Sequence, residues 1–199
     1  SDLDVLVRAA DFSLAVRTLA ESGWHPASQA QTAQHDLLED AECELLLEHA
    51  GTGLFLELHW RTGSRFGHAS LPAEPLIARA EPRELLERTV RCLRDDDHLL
   101  VLCMHGATHV WGHLELISTI AEFFTPDRIA DWGELLARAR ALGCRRRVLV
   151  AAALARGLAG VVLPEAVETG LSRDPGAERL AQRAAAALGV PSLREVSLA

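Results

Sequence analysis

The sequence predicts an α+β protein, in which a small N-terminal sheet is followed by a region made of helices. Residues 54–60 alternate leucine or tryptophan with other side chains, which is the period of a strand with one buried face. Beyond about residue 95, apolar residues recur at the three- and four-residue spacing of amphipathic helices. Glycines and prolines between residues 62 and 75 mark the change. We therefore expect an α/β core over residues 1–75 and a helical region over residues 76–199.

Composition narrows the class of protein. The 199 residues are 49% hydrophobic and 24% charged, which suits one or two compact domains with a substantial core. No stretch reaches the roughly 18 uninterrupted apolar residues of a membrane span, and the first residues do not form a signal peptide. We expect a cytoplasmic protein with no membrane partner.

The net charge and the absence of lysine and tyrosine exclude several functions. The formal net charge of −8 disfavours broad, sequence-independent binding of nucleic acid, because such binding needs a positive field. All 20 basic residues are arginine and there is no tyrosine. A phosphate-loop lysine, a Schiff base and a tyrosine nucleophile are therefore excluded within this chain.

The cysteines favour free thiols. Cys43, Cys92, Cys103 and Cys144 lie far apart and form no C-x-x-C pair. This spacing disfavours a disulfide framework or a zinc ribbon.

The first elements follow from local patterns. Residues 2–7 alternate carboxylates with apolar residues and predict a strand, which at this position has no preceding element to pair with, so we expect further elements upstream. Asp11 is a helix cap, and Gly23 follows the end of the amphipathic helix. We expect a loop over residues 25–34.

Two apolar runs predict a hairpin. Residues 42–49 and 54–60 are separated by Ala50-Gly51-Thr52-Gly53, which predicts an antiparallel pair around a glycine-bearing turn. Glu57 lies on its second strand, which could lie beside the strand of residues 2–7.

The helical region begins after a short strand expected over residues 89–93. Asp95, Asp96 and Asp97 start a helix, where we interpret them as complementing the helix dipole rather than binding a metal ion. We expect this helix to continue to His113. Further helices are predicted over 114–124, 131–142 with Asp131 as cap and Gly143 as stop, 145–163 largely buried, 164–171 and 177–188.

Three carboxylates are the first candidate site. Asp2 and Asp4 at i and i+2 point to the same side of a strand, and Glu57 sits on a rigid apolar strand where a carboxylate needs a partner. Together they could hold one or two Mg²⁺ ions, which can activate an attacking oxygen and neutralise a leaving phosphate. The alternative is that Asp2 and Asp4 are solvated ends of an edge strand.

His59 and Arg61 lie next to this site in sequence. His59 shares the face of Glu57 and could orient it by hydrogen bonding, or could cover a sheet edge. Arg61 suits phosphate recognition near an acidic metal site, although surface arginines are common.

His105, His109 and His113 recur every four residues, so a helix would place them on one stripe. Zinc binding is one interpretation, although Gly106 stands where the metalloprotease pattern needs a glutamate. Contact of His105 and His109 with substrate or phosphate is a second. Hydrogen bonding at a packing seam beside Trp111 is a third.

Several of these motifs together resemble a known family. The opening residues 1–7, followed by a helix that ends at Gly23-Trp24, look like the metal strand and helix of the DNA-polymerase-β-like nucleotidyltransferases. Three ordered motifs narrow the resemblance to the family called uncharacterised nucleotidyltransferases: Glu57-Leu58-His59-Trp60, His105-Gly106 with His109 and Trp111, and Asp131-Trp132 before a helix. The resemblance covers residues 1 to about 165.

The resemblance implies a nucleotidyltransferase-like mixed sheet and transfer of a nucleoside monophosphate from a nucleoside triphosphate to a hydroxyl or phosphate acceptor. Asp2, Asp4 and Glu57 would bind Mg²⁺ or Mn²⁺, and Glu57 would help to activate the attacking hydroxyl. The acceptor would lie between the sheet and the segment His105–His113.

Two departures leave a second interpretation open. In the wider superfamily a Gly-Ser or Gly-Gly turn before the metal strand cradles the triphosphate; it would precede residue 1, and Gly63-Ser64 lies downstream of that place. Family members also tend to carry an aspartate near the position of Thr119. The alternative to an active enzyme is a catalytically inactive binding module with the nucleotidyltransferase fold.

Overall fold

A computed structural model describes residues 3–27, 44–62, 71–190 and 193. The chain divides into two compact units, Ser1–Leu93 and Arg94–Ala199, and each is described by itself. The first contains the strands and the second is helical, so the predicted α+β class is confirmed.

The first unit is built on a four-stranded mixed sheet. Its strands are β1 (Leu3–Leu6), β2 (Trp24–Pro26), β3 (Glu44–His49) and β4 (Phe55–His59), in the order β1-β4-β3-β2. β1 runs parallel to β4, and the other neighbours are antiparallel. Both the predicted hairpin and the placement of the first strand beside it are confirmed.

One face of this sheet carries the core. Leu45, Leu47, Leu56 and Leu58 are buried together with Phe12, the first residue of helix α1 (Phe12–Glu21). The alternation predicted for residues 54–60 is thus confirmed, because Leu56 and Leu58 face the core while Glu57 and His59 face the other way. Gly23 ends the helix in a left-handed conformation, with a φ of 89°.

The prediction of a loop over residues 25–34 is wrong for residues 25 and 26. Trp24–Pro26 form β2, which pairs with residues 47–49 of β3. The strand forms because β3 offers a free edge, which is a tertiary effect that the polar local sequence does not signal. The remainder of that loop, from residue 28, lies outside the described residues.

The first unit ends with short elements. These are β5 (Arg61–Thr62), β6 (Leu71–Pro72), α2 (Ala73–Arg79), β7 (Glu81–Leu85) and β8 (Arg88–Cys92). The strand expected near residue 89 is confirmed as β8, and its partner β7 is an addition. Leu86 and Glu87 turn this hairpin with φ values of 47° and 62°, which leucine and glutamate rarely adopt, so the usual Asn-Gly signal is missing.

The second unit consists of helices around one buried helix. They are α3 (Asp95–Thr108), α4 (Leu114–Glu122), α5 (Trp132–Ala141), α6 (Arg145–Ala159), α7 (Glu165–Ser172) and α8 (Pro175–Ala187). α6 packs against all five of the others and is buried along most of its length, as its alanine- and leucine-rich sequence predicts. No helix in the described ranges is long and apolar enough to cross a membrane.

The prediction of one helix as far as His113 is wrong. α3 ends at Thr108, and Val110 and Trp111 follow in the left-handed region with φ values of 53° and 57°. His113 is the N-cap residue of the next helix, α4. The chain turns here because the Trp111 indole is buried against Gly106. This contact cannot be predicted from helical periodicity.

The aspartates at the start of α3 pair with arginines. Arg138 Nη1 lies 2.7 Å from Asp96 Oδ2 and Arg138 Nη2 lies 2.6 Å from Asp97 Oδ1. Arg128 Nε lies 2.7 Å from Asp95 Oδ2. These contacts support the interpretation that this acidic run is not a metal site.

The described cysteines are Cys92, Cys103 and Cys144, and all three are free thiols, as predicted. Cys43 lies outside the described residues. Burial raises the pKa of the Cys103 and Cys144 thiols, so both are held in the neutral form.

Candidate functional site

Strand register brings two of the predicted ligands together. Asp4 on β1 is the direct parallel partner of Glu57 on β4. Because residues in register on neighbouring strands share a sheet face, both carboxylates lie on the face opposite the leucine core. Asp2, the third predicted ligand, lies outside the described residues.

His59 lies between the carboxylates. Its Nε2 is 2.9 Å from Asp4 Oδ1, which is a hydrogen bond, and 3.4 Å from Glu57 Oε2. Its Nδ1 is 3.5 Å from Glu44 Oε2, on β3. His59 therefore contacts acidic side chains from three strands. Its predicted role in orienting Glu57 stays a prediction.

Exposure differs across this group, which we call the acidic cluster (Asp4, Glu44, Glu57 and His59). The Asp4 and Glu44 side chains are 71% and 53% exposed, whereas those of Glu57 and His59 are only 24% and 18% exposed. The cluster is thus open to solvent on the Asp4 side, and a ligand could reach it there.

The electrostatics of the acidic cluster act on His59. Burial lowers the pKa of this imidazole, but the hydrogen bond with Asp4 and the negative charges of Glu44, Asp4 and Glu57 raise it more. The net pKa lies above the usual 6.5, so these contacts favour the positively charged form.

The donor set fits a divalent cation. Among the described residues, Asp4, Glu57 and His59 form the group whose ligand atoms all lie within 4.8 Å of one another. The two carboxylates supply two negative charges and hard oxygen donors, which suit Mg²⁺ and Mn²⁺. His59 can add a nitrogen donor only in its neutral form, because a protonated imidazole has no free lone pair. These residues can therefore hold the ion that the sequence analysis predicts.

The other predicted site residues lie elsewhere in the chain. Arg61 is exposed, two residues beyond His59, and pairs with Pro72 in the small sheet of β5 and β6. His105 and His109 are exposed at the end of α3 in the second unit. Their predicted contacts with substrate stay predictions.

Sequence reasoning missed Glu44. The register of the hairpin could have identified this residue. Glu44 is the antiparallel partner of His59, and an in-register pair places both side chains on one face of the sheet. Residues 42 and 43, at the predicted start of that strand, lie outside the described residues.

A shallow apolar groove of about 270 Å³ lies between β1, β4 and α1. Val5, Leu14, Leu19 and Leu58 are among its lining residues. Val5 and Leu58 belong to the opposite sheet face from Asp4 and Glu57, so this groove is separate from the acidic cluster.

Comparisons with known proteins point to one family. A search of curated proteins and a search of solved structures found no match. The family model described as "Uncharacterised nucleotidyltransferase" matches residues 1–160, which include the acidic cluster and the segment from His105 to His113. Membership supports nucleotidyl transfer as the general function, and such families typically use divalent metal ions. The chain belongs to the uncharacterised nucleotidyltransferase family.

Proposed function

We propose that this chain transfers a nucleoside monophosphate from a nucleoside triphosphate to a hydroxyl or phosphate acceptor, using Mg²⁺ or Mn²⁺ bound at the acidic cluster. The observation that carries the proposal is the in-register pairing of Asp4 with Glu57, beside His59. Asp4 on the edge strand β1 and Glu57 on the inner strand β4 are like charges in register, which repel each other, and a divalent cation bound between them would neutralise that repulsion.

The proposed reaction is a displacement at phosphorus. An acceptor oxygen forms a bond to the α-phosphorus, the bond from that phosphorus to the bridging oxygen breaks, and pyrophosphate leaves. The acceptor proton passes to a base, for which Glu57 is the candidate because it is the least exposed of the three carboxylates in the acidic cluster. When bound, the divalent ion would orient the triphosphate and neutralise its charge.

The remaining residues have supporting roles in the proposal. Asp2, outside the described residues, would complete the carboxylate set with Asp4 and Glu57. His59 would hold Asp4 by its 2.9 Å hydrogen bond and keep Glu57 close by. Arg61, exposed just beyond this strand, would contact a phosphate of the nucleotide.

The test is pyrophosphate release by the full chain. The protein is incubated with each nucleoside triphosphate, Mg²⁺ or Mn²⁺, and a panel of sugar, antibiotic, peptide, protein and RNA-end acceptors. We expect Asp4→Asn and Glu57→Gln to lower the rate about 100-fold or more, the range for loss of a positioned acid–base group. Glu48→Gln is the matched control, because Glu48 is an exposed carboxylate on β3 outside the acidic cluster.

Calorimetry separates the outcomes. Weaker Mg²⁺ and nucleotide binding by Asp4→Asn, but not by Glu48→Gln, supports the assignment of the site. Unchanged metal and nucleotide affinity in both Asp4→Asn and Glu57→Gln contradicts it. Nucleotide binding at this site without pyrophosphate release across the panel would instead favour the inactive binding module.

A further inference from the structure

The face of the sheet that carries the acidic cluster also carries an aromatic side chain. Phe55, Glu57 and His59 occupy alternate positions of β4, so their side chains share the face opposite the leucine core. The intervening Leu56 and Leu58 are only 3% and 0% exposed, whereas Phe55 is 42% exposed. The Phe55 ring therefore lies on the same face as the acidic cluster and outside the hydrophobic core of the first unit.

The surroundings of Phe55 leave its ring without an aromatic partner. β4 is an inner strand, with β1 on one side and β3 on the other. Other aromatic residues of this unit pack against one another, as Phe12 does with Trp60 at 4.4 Å between ring centres. Within the described ranges, no ring contact includes Phe55. A flat apolar ring exposed in this way can stack on a planar ligand.

The spacing along β4 suits a nucleotide. Side chains two residues apart on a strand are separated by about 6.6–6.8 Å, so Phe55 is the neighbour of Glu57 on this face. In a nucleoside triphosphate, a single ribose separates the α-phosphate from the base. A triphosphate held by an ion at Asp4 and Glu57 would therefore place its base within reach of the adjacent position on the same strand.

We propose that Phe55 is the stacking platform for the base of the bound nucleoside triphosphate. The inference rests on the proposed function, because the triphosphate must bind at the acidic cluster, but it requires no transfer step. The phenylalanine ring has no hydrogen-bond donor or acceptor, so it holds a base by its face and does not read its edge. Every base has such a face, so we expect Phe55 to contribute to the binding of all four nucleotides.

The charges on this face favour the same orientation of the nucleotide. The phosphates are negative and need the ion at Asp4 and Glu57, because those carboxylates would otherwise repel them. The base is uncharged and gains contact area against an uncharged ring. Pairing of β4 with strands on both sides holds Phe55 and Glu57 at a fixed separation, which gives the site the precision of a rigid element.

The experiment is calorimetric titration of the full chain with each nucleoside triphosphate and, separately, with inorganic tripolyphosphate, in excess Mg²⁺. Loss of one stack between a base and an aromatic side chain lowers affinity about 5- to 150-fold. We expect Phe55→Leu to weaken binding of every nucleoside triphosphate at least about fivefold. Tripolyphosphate has no base, so its affinity should not change. Phe55→Trp keeps an aromatic face and should keep the wild-type affinity.

The matched control is Leu54→Ala. Leu54 is 58% exposed and precedes the strand, so this variant removes an exposed apolar side chain from the neighbouring position. Equal nucleotide affinity in the wild type and Phe55→Leu overturns the stacking role. An equal weakening of tripolyphosphate binding, or the same loss in Leu54→Ala, also overturns it, because neither result depends on the base.

Failure of the proposed function gives a different pattern. Unchanged nucleotide affinity in Asp4→Asn contradicts binding at the acidic cluster. Weaker nucleotide binding in Asp4→Asn but not in Phe55→Leu contradicts the stacking role alone. A wild-type chain that binds no nucleoside triphosphate overturns both.

A second measurement places the base. The chain has five phenylalanines, so the NMR signal of Phe55 in phenylalanine-labelled protein is the one missing from Phe55→Leu. A stacked base should move this signal upfield, and tripolyphosphate should leave it in place. A nucleotide that shifts other phenylalanine signals and not that of Phe55 overturns the proposal.

Discussion

The contact between Gly106 and Trp111 makes Gly106→Ala a sharp test of the structure. A Cβ atom at position 106 would lie 2.4 Å from Cζ3 and 2.6 Å from Cε3 of the Trp111 ring, closer than non-bonded carbons approach. The indole would have to move, and with it the left-handed backbone at Trp111.

Two opposing terms decide the sign of the effect. Replacing glycine by alanine inside a helix ordinarily stabilises it by about 1 kcal/mol. Overpacking a core costs about 1–3 kcal/mol, and complete expulsion of a tryptophan that buries about 150–250 Å² would cost about 4–6 kcal/mol. The 2.4 Å contact places the cost between the upper end of the overpacking range, about 3 kcal/mol, and complete expulsion, about 6 kcal/mol. Subtracting the helix gain of about 1 kcal/mol leaves an expected net loss of about 2 to 5 kcal/mol in the free energy of unfolding.

The assay is urea unfolding followed by far-ultraviolet circular dichroism, on the wild type, Gly106→Ala, Trp111→Leu and the double variant. In the Trp111→Leu background the clashing ring atoms are gone, so Gly106→Ala should change sign and stabilise by up to about 1 kcal/mol. Stabilisation by Gly106→Ala alone would refute the reasoning. The same cost in both backgrounds would also refute it, since the cost would then not come from the indole.

Three further predictions concern charge and capping. The pKa of His59, measured by imidazole NMR, should lie above 6.5 and should fall in Asp4→Asn. The stability gained from this raised pKa is present below about pH 6.5 and is lost as the pH rises through the pKa of His59 in the folded protein. Asp97→Asn should destabilise the protein to urea by about 1–3 kcal/mol, because it removes a nearly buried partner of Arg138. Asp131→Ala should cost about 1 kcal/mol, measured in the same way, because its carboxylate accepts the N–H of residue 134 at the start of α5.

Matched variants check these predictions. Asp95→Asn removes an aspartate of the same helix turn that is 23% exposed, against 4% for Asp97, so it should cost less than about 1 kcal/mol. Equal costs for Asp95→Asn and Asp97→Asn would contradict the role given to burial. Glu134→Ala keeps the backbone N–H that Asp131 caps and should have a smaller effect than Asp131→Ala. For the imidazole, an unchanged titration in the Asp4 variant would contradict the hydrogen bond.

Local patterns predicted much of the fold. The two-residue period of residues 54–60 identified which side chains of β4 face the core, because alternation is a property of any extended chain. The cap at Asp131 and the left-handed stop at Gly143 were also readable, since each depends on a few neighbouring residues. Helix α6 was recognisable from its apolar length.

Other elements depended on contacts that local sequence does not contain. The break after Thr108 comes from an indole packing back onto a glycine, and the residues involved form no turn motif. The hairpin of β7 and β8 turns at Leu86 and Glu87, which carry no turn signal. The strand of Trp24–Pro26 needs the edge of β3 as a partner.

The acidic cluster depends on both the local sequence and the tertiary structure. The sequence alone determined that Asp4, Glu57 and His59 are polar positions on alternating strands, because strand period is set by neighbouring residues. Only the tertiary structure decided that Asp4 lies opposite Glu57, that His59 contacts a side chain 55 positions away, and that Glu44 joins them. Strand register is set by pairing between distant segments and by burial of the leucine face, so no local pattern can specify which carboxylates meet.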